Sequence, residues 1–340
     1  MPYTLTLNSP IPPSEFINRS DIIKEVCRGL DDPRRISTCL VGGPKTGKTS
    51  ILQYLASVYV SNRYTSPSKF FITHLSGDSI GKTMKPSRFW TGVFKALRPN
   101  ITLEILQSLL DKTLEKSESE KKDIDVFDLE DLFDTFAKED TPVLLLIDDF
   151  DIILGNESFW PPNDFFHIVR ALGQREPRGL TFVITTSRPL IDLWEPTKSA
   201  SPFYNIFQNI PIGRIEDGEI REVVREGFFK MGVQCDQNIE DLVINASERH
   251  PYLVNYVASL CGDMLKKGSA INGSSLMEEF QKPDGPVVTL IRNIRRQLSI
   301  YEKYLLEMLK TTPHKVDEFQ KVHLLKLQDY GLLPPGVKVQ

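Results

Sequence analysis

Short apolar runs alternate with helical spacings through about the first two-thirds of the chain, and helical spacings alone follow. The runs of strand type are Ser37–Val41, Lys69–Leu75, Val143–Ile147, Leu180–Thr186 and Asn205–Ile210. Val143–Ile147 is apolar at every position, as an inner strand of a parallel sheet covered on both faces requires. Helical spacing marks Ser50–Ala56, Ile239–Ala246, Tyr252–Met264, Ile300–Leu309 and Phe319–Leu327. Glu219–Phe229 is also amphipathic, and core packing is expected for Ile220, Val223, Val224, Phe228 and Phe229. The charge-dense stretch Leu114–Asp125 reads as a solvated loop or helix end. Pro251 separates two helical patterns, and Pro283–Pro286, with a glycine between its prolines, cannot continue a helix. The pattern predicts an α/β domain over residues 1–210, a helical domain over 211–282 and a terminal domain over 287–340.

A chain of 340 residues is long enough for two or three such cores. Its formal net charge of −4 gives no bulk attraction to nucleic acid or membrane. Cys27, Cys39, Cys235 and Cys261 have no paired metal-ligand spacing. The first residues lack a basic and apolar leader, and no run has the length of a bilayer span. A cytoplasmic protein without a membrane partner is therefore expected.

The most specific feature is the octet Gly42, Gly43, Pro44, Lys45, Thr46, Gly47, Lys48 and Thr49, a full match to G-x-x-x-x-G-K-[ST]. Average residue frequencies produce such a match in about one chain per hundred of this length. A strand before it and a helix from Ser50 after it reduce the role of chance further. Glycines let successive backbone N–H groups converge on phosphate oxygens, and the helix start adds its positive dipole end. Lys48 is the candidate cation for the β- and γ-phosphates of ATP, and Thr49 the candidate hydroxyl ligand of Mg²⁺. Gly77–Thr83 looks similar but is one residue short between its glycines, and reads as a surface loop.

Magnesium needs an acid at the edge of the same sheet, and the run ending in Asp148, Asp149 and Asp151 supplies acids there. Asp148 is the candidate metal residue, Asp149 the candidate base that orients water, and Asp151 a candidate helix cap. Leu180–Thr186 leads into Ser187 and Arg188, and Arg188 is the candidate sensor of the γ-phosphate.

These motifs resemble the STAND class of P-loop ATPases in the AAA+ group, close to the bacterial AAA-like and archaeal ATPase families. The resemblance begins at Phe16, Ile17, Asn18 and Arg19, similar to the family segment that lies against adenine, with Asn18 where glycine is usual. It continues through the Asp148–Asp151 run, Asn163–Arg170 and Ser201–Asn205. At Glu248–Leu253 the chain is similar to the lid signature whose proline, here Pro251, approaches the nucleotide, with Glu248 and Arg249 replacing glycines, and His250 and Pro251 are the candidate lid contacts. The resemblance implies an α/β P-loop NTPase core with a parallel sheet, an α-helical lid and a C-terminal winged-helix-like domain. It also implies binding of ATP or ADP with Mg²⁺, weak hydrolysis, and self-association or a protein partner that responds to nucleotide.

The terminal domain leaves an alternative. Residues 287–340 carry nine bases against five acids, and winged helices often bind DNA. The second helical pattern, however, offers Lys321, His323 and Lys326 and no arginine for reading guanine. A nucleotide switch is the expected function, and an ATP-regulated DNA-binding protein is the less favoured second reading.

Overall fold

A computed structural model describes residues 9–17, 19–57, 70–77, 84–120, 124–160, 165–194, 202–269, 271 and 273–339. Two compact units emerge: Asp21–Leu40 with Ile51–Ile210, and Met1–Ser20 with Val41–Ser50 and Pro211–Gln340.

The first of these units is built on a five-stranded parallel sheet. Its strands are β1 (Ser37–Val41), β2 (Phe71–Ser76), β3 (Val143–Asp148), β4 (Leu180–Thr186) and β5 (Phe207–Pro211), in the order β2-β3-β4-β1-β5. Phe71 pairs with Val143 and Ser76 with Asp148; Val143 in turn pairs with Leu180 and Ile147 with Ile184. Every residue of β1, β3 and β4 is buried, which explains why their sequences do not alternate.

Helix α1 (Ser20–Asp31) precedes β1, and α2 (Lys48–Leu55), α3 (Pro86–Leu97), α4 (Glu104–Glu120), α5 (Val126–Lys138) and α6 (Phe165–Gln174) lie between the strands. The charged stretch after Leu114 is the last turns of α4, a helix end rather than a loop; the residues 121–123 beyond it lie outside the described set. Helix α5 starts where the Asp125 carboxylate accepts the Phe127 N–H. Aromatic rings fill the space around α6. Phe165 meets Phe159 edge-on at 4.6 Å, and Trp194 lies 4.8 Å from both Trp160 and Phe203. Such pairs add about 0.5–1.5 kcal/mol each beyond the burial of their area.

Of the predicted strands, Leu180–Thr186 and Ser37–Val41 coincide with β4 and β1. The last begins two residues late, because Phe203–Ile206 first makes a 3₁₀ turn after Pro202. Lys69, most of Gly77–Thr83, and residues Asn163, Asp164 and Ser201 lie outside the described residues.

In the second unit, α7 (Asp217–Met231), α8 (Gln237–Ser247), α9 (Pro251–Lys266) and α10 (Gly273–Phe280) close around Ile220, Val224, Phe228, Val243, Val257 and Cys261. Phe229 does not join them; it is 83% exposed. At about 100° per residue it stands half a turn out of phase with Ile220, so the apolar stripe expected from sequence was drawn too wide. Helix α11 (Pro286–Gln297) lays Val287, Leu290 and Ile294 on Leu253 and Tyr256 of α9.

Helices α12 (Ile300–Thr311) and α13 (Glu318–Asp329) match the two terminal helical patterns, and each starts in a capping box, Ser299 with Glu302 and Asp317 with Gln320. Their core joins Leu305, Leu306, Leu324 and Leu327 to Leu332 and Val337 of the chain end. No strand follows Pro211 among the described residues, so no wing hairpin is seen in this region. No described helix is long and apolar enough to cross a membrane.

Candidate phosphate-binding site

The glycine-rich octet runs from the end of β1 to the start of α2, in the setting its sequence predicts. Its turn needs left-handed backbone at two positions. Lys45 takes φ +62° and Gly47 φ +93°, and a Cβ on Gly47 would meet open space. Lys48 opens α2 and donates from Nζ to the carbonyls of Gly42 (3.0 Å) and Gly43 (3.2 Å). Thr46 is buried and donates its hydroxyl to the Gly43 carbonyl at 2.9 Å. The ammonium of Lys45 stands 5.5 Å from the centre of the Tyr252 ring. Ser50 is buried on α2, where its Oγ accepts the Ile11 N–H at 2.9 Å.

Around this loop the second unit supplies a polar collar. Arg19, itself at φ +72° and buried, donates to the carbonyls of Thr46 (3.2 Å), Ile212 (2.8 Å) and Arg214. Burial lowers its pKa to about 10, against the opposing pull of Glu219 and Glu216. The guanidinium is thus committed to backbone oxygens, a role that the resemblance to an adenine-facing segment did not imply. Ile17 packs on the core of the helical domain, and Asn18 lies outside the described residues.

His250 is the N-cap of α9 and Pro251 its first residue. The imidazole is 6% exposed, and neither ring nitrogen has a hydrogen-bond partner; the Pro44 backbone lies alongside without bonding geometry. Burial first, then the positive Arg19, push its pKa down to about 3, so the ring is neutral. Glu248 and Arg249, which replace the family's glycines, take φ +48° and +64°. They reproduce a glycine-like corner at a conformational cost of about 1–2 kcal/mol per residue. Arg249 is held there by paired bonds to Asp217 at 2.6 and 3.0 Å.

One contact was not foreseen. The Gly43 N–H donates to the Tyr330 carbonyl at 2.6 Å, and Gly213 N–H donates to the Asp329 carbonyl at 2.8 Å. A Cβ on Gly43 would come within 2.5 Å of the Gly331 oxygen. The end of α13 therefore docks on the phosphate loop itself. Only the glycine after a leucine-rich helix hinted at a turn there, and nothing in the sequence named its partner.

In the sheet unit, Asp148 ends β3 and is 4% exposed. Its Oδ1 accepts the Thr185 hydroxyl at 2.7 Å, and the Thr185 oxygen accepts the Asp149 N–H at 2.8 Å. Asp149 takes φ +48°, and the Phe150 N–H bonds to the Thr185 carbonyl at 2.8 Å. Gly77 is buried against the carbonyls of Asp148 and Asp149, where a Cβ would stand 2.8 and 2.7 Å away. Asp151 does not cap its own short helix; its Oδ2 accepts the Ser187 N–H at 2.9 Å and fixes the turn after β4. That turn carries Arg188, which is half-buried and whose carbonyl accepts the Thr186 hydroxyl at 2.6 Å. Thr185, not singled out from sequence, is thus the residue that ties the two acids together.

No family model and no curated protein matches the chain. Among solved structures it is similar to the Walker-type ATPase PABY2304 of Pyrococcus abyssi, with 16% identity, 96% of this chain and 93% of that chain covered, and a TM-score of 0.51. Domain III of the replication initiation protein DnaA from Thermotoga maritima aligns with 15% identity over 82% of this chain and 100% of its own, with a TM-score of 0.44. The RuvB Holliday junction branch migration motor of the same organism aligns with 14% identity over 90% and 80%, with a TM-score of 0.45. At these identities the likeness is one of fold. The chain has the fold of a P-loop ATPase.

Proposed function

We propose that this chain is a nucleotide switch of the AAA+ group, of STAND type, that binds ATP or ADP with Mg²⁺ and hydrolyses ATP slowly. The observation that carries the reading is the bond from Gly43 of the phosphate loop to Tyr330 of the terminal domain. A loop that must reshape around phosphates is tied through its own backbone to the element whose movement would report the nucleotide state.

The residues fit the group. The left-handed turn at Gly47 and the helix start at Lys48 suit phosphate oxygens, and Lys48, now on two loop carbonyls, carries the charge they need. Thr49 and Asp148 are the candidate magnesium ligands. The strand order leaves one strand, β4, between β1 and β3, the spacing that carries such an acid in a P-loop fold. Asp149 is the candidate base, one methylene shorter than glutamate, which supports slow turnover. Arg188 remains the candidate sensor, and Ile17, Asn18, His250 and Pro251 the candidate contacts on the base side.

The DNA-binding alternative draws less support. Helix α13 begins with Asp317 and Glu318 and exposes Phe319 and Val322, a surface suited to protein rather than to phosphate backbone. Function in this reading lies in assembly with a second copy or a protein partner.

The test is mass in solution with ADP, with a non-hydrolysable ATP analogue, and for the Lys48→Ala variant. A nucleotide-dependent change in assembly that Lys48→Ala abolishes is expected. Unchanged mass and shape in every state would sink the switch.

A further inference from the structure

A cavity of about 440 Å³ opens between the corner that ends α8 and the tail that follows α13. Sites for small molecules commonly span about 300–1,000 Å³. None of the phosphate-loop residues lines it. Its walls bring three cations, Arg214, Arg249 and Lys338, to one space against a single carboxylate, Glu248, while Ile244 and Val337 add apolar surface.

Two of these cations stand out by what they do not touch. Arg249 is committed to Asp217, and Glu248 accepts the Gly336 N–H at 2.9 Å. The Arg214 guanidinium, by contrast, is half-buried, and among the described residues no hydrogen bond or ion pair reaches it, although Glu248 and Asp329 lie near enough to act through their charge. Lys338 is exposed and likewise without a partner among the described residues. A half-buried guanidinium with open donors is an expensive feature to keep without an acceptor.

The polar surface continues inward. A second void of about 10 Å³ shares Arg214, Glu248 and Gln328 with the cavity and is lined as well by His250. That is room for about one water. Both ring nitrogens of the buried His250 lack partners. A neutral imidazole with an unpaired donor and an unpaired acceptor beside a water-sized void extends the polar lining inward from the cavity.

We infer that this cavity is a binding site for a small phosphate monoester with an apolar body, separate from the phosphate loop. The planar fork of Arg214 suits two oxygens of one phosphate, and Lys338 supplies a mobile second charge. Two cations with open donors, Arg214 and Lys338, match a dianion better than a monocarboxylate. Ile244 and Val337 cover the apolar part of the ligand. A molecule held there bridges the α8 corner to the chain end, and so adjusts the same terminal domain that docks on Gly43.

Calorimetric titration of the full, nucleotide-free chain with phenyl phosphate tests the site, with benzoate and benzyl alcohol as comparison probes. Phenyl phosphate binds, benzoate binds at least about tenfold more weakly, and benzyl alcohol does not bind. Lys338→Gln, at an exposed position that leaves folding intact, weakens phenyl phosphate by about tenfold, and Arg214→Lys, which keeps the charge but loses the fork, does the same. Lys48→Ala leaves this affinity unchanged, although it removes binding at the phosphate loop. Loss of phenyl phosphate binding in Lys48→Ala would assign the ligand to the loop and overturn the site. So would equal affinity for benzoate, indifference to Lys338→Gln and Arg214→Lys, or no binding to the unaltered chain.

Discussion

Thr185 donates its hydroxyl to Oδ1 of Asp148 at 2.7 Å and accepts the Asp149 N–H on the same oxygen at 2.8 Å. One buried side chain at the end of β4 thereby orients the candidate metal acid and sets the backbone of the candidate base. Asp149 is held at φ +48°, a conformation that a non-glycine residue keeps only when its surroundings impose it. Gly77 closes the arrangement from the other side by packing on both carbonyls.

Thr185→Val keeps the shape of the side chain and removes both bonds. Stability falls by about 1–3 kcal/mol, because the Asp148 oxygen and the Asp149 N–H lose their partner in a buried place. Magnesium-dependent ATP hydrolysis, under the proposed function, falls by at least about tenfold, and Mn²⁺ affinity read by paramagnetic relaxation falls with it. Thr185→Ser, which retains the oxygen, restores both. Hydrolysis and metal affinity unchanged in Thr185→Val would remove the residue from the site.

Much of this site was legible in the chain. The loop from Gly42 to Thr49 and the acids after Ile147 are local patterns, fixed by the strand before them and the turn after. Leu180–Thr186 could be read to the residue because its β-branched and aromatic run is buried throughout and stops before the Ser187–Pro189 turn. What escaped is what depends on distant partners. The three carbonyls around Arg19, the seat of Gly43 on Tyr330 and the bond from Thr185 to Asp148 each join segments that only the fold brings together. Phe229 was misread for a different reason: an apolar residue near a stripe is not on it when the helical angle says otherwise.

Arg19→Lys separates charge from geometry. Lysine keeps a cation but cannot reach the carbonyls of Thr46, Ile212 and Arg214 together, as the guanidinium fork does. Unfolding in urea should show a loss of about 2–4 kcal/mol, larger than a surface substitution gives, because at least one buried carbonyl is left without a donor. A loss under about 0.5 kcal/mol, the range of surface changes, would mean that the collar does not hold the loop.

Gly331→Ala tests the seat of the terminal domain. At φ +67° the new methyl group is strained, and it would stand 2.6 Å from the Thr46 methyl of the phosphate loop. The end of α13 must shift, and the Gly43 N–H loses the Tyr330 carbonyl. Amide exchange at Gly43 should speed up by at least about tenfold, which corresponds to about 1.4 kcal/mol of lost protection. Gly336→Ala, also at positive φ but with open space around it, serves as the control that carries strain without the clash. Equal effects of the two substitutions would refute a specific seat.

His250 links stability to pH. In the unfolded chain a histidine takes up its proton near pH 6.5, whereas burial beside Arg19 holds the folded imidazole neutral down to about pH 3. The unfolded state therefore binds the extra proton between these values, and the contribution of the neutral ring is complete above about pH 6.5 and drains away as pH falls toward 3. The full effect is on the order of a few kcal/mol. His250→Gln removes the titrating group, so its urea stability should decline less steeply than that of the unaltered chain between about pH 6.5 and 4. Carboxylates that titrate in the same range contribute to both curves and cancel in the difference. Parallel curves would show that the imidazole is not held neutral in the folded chain.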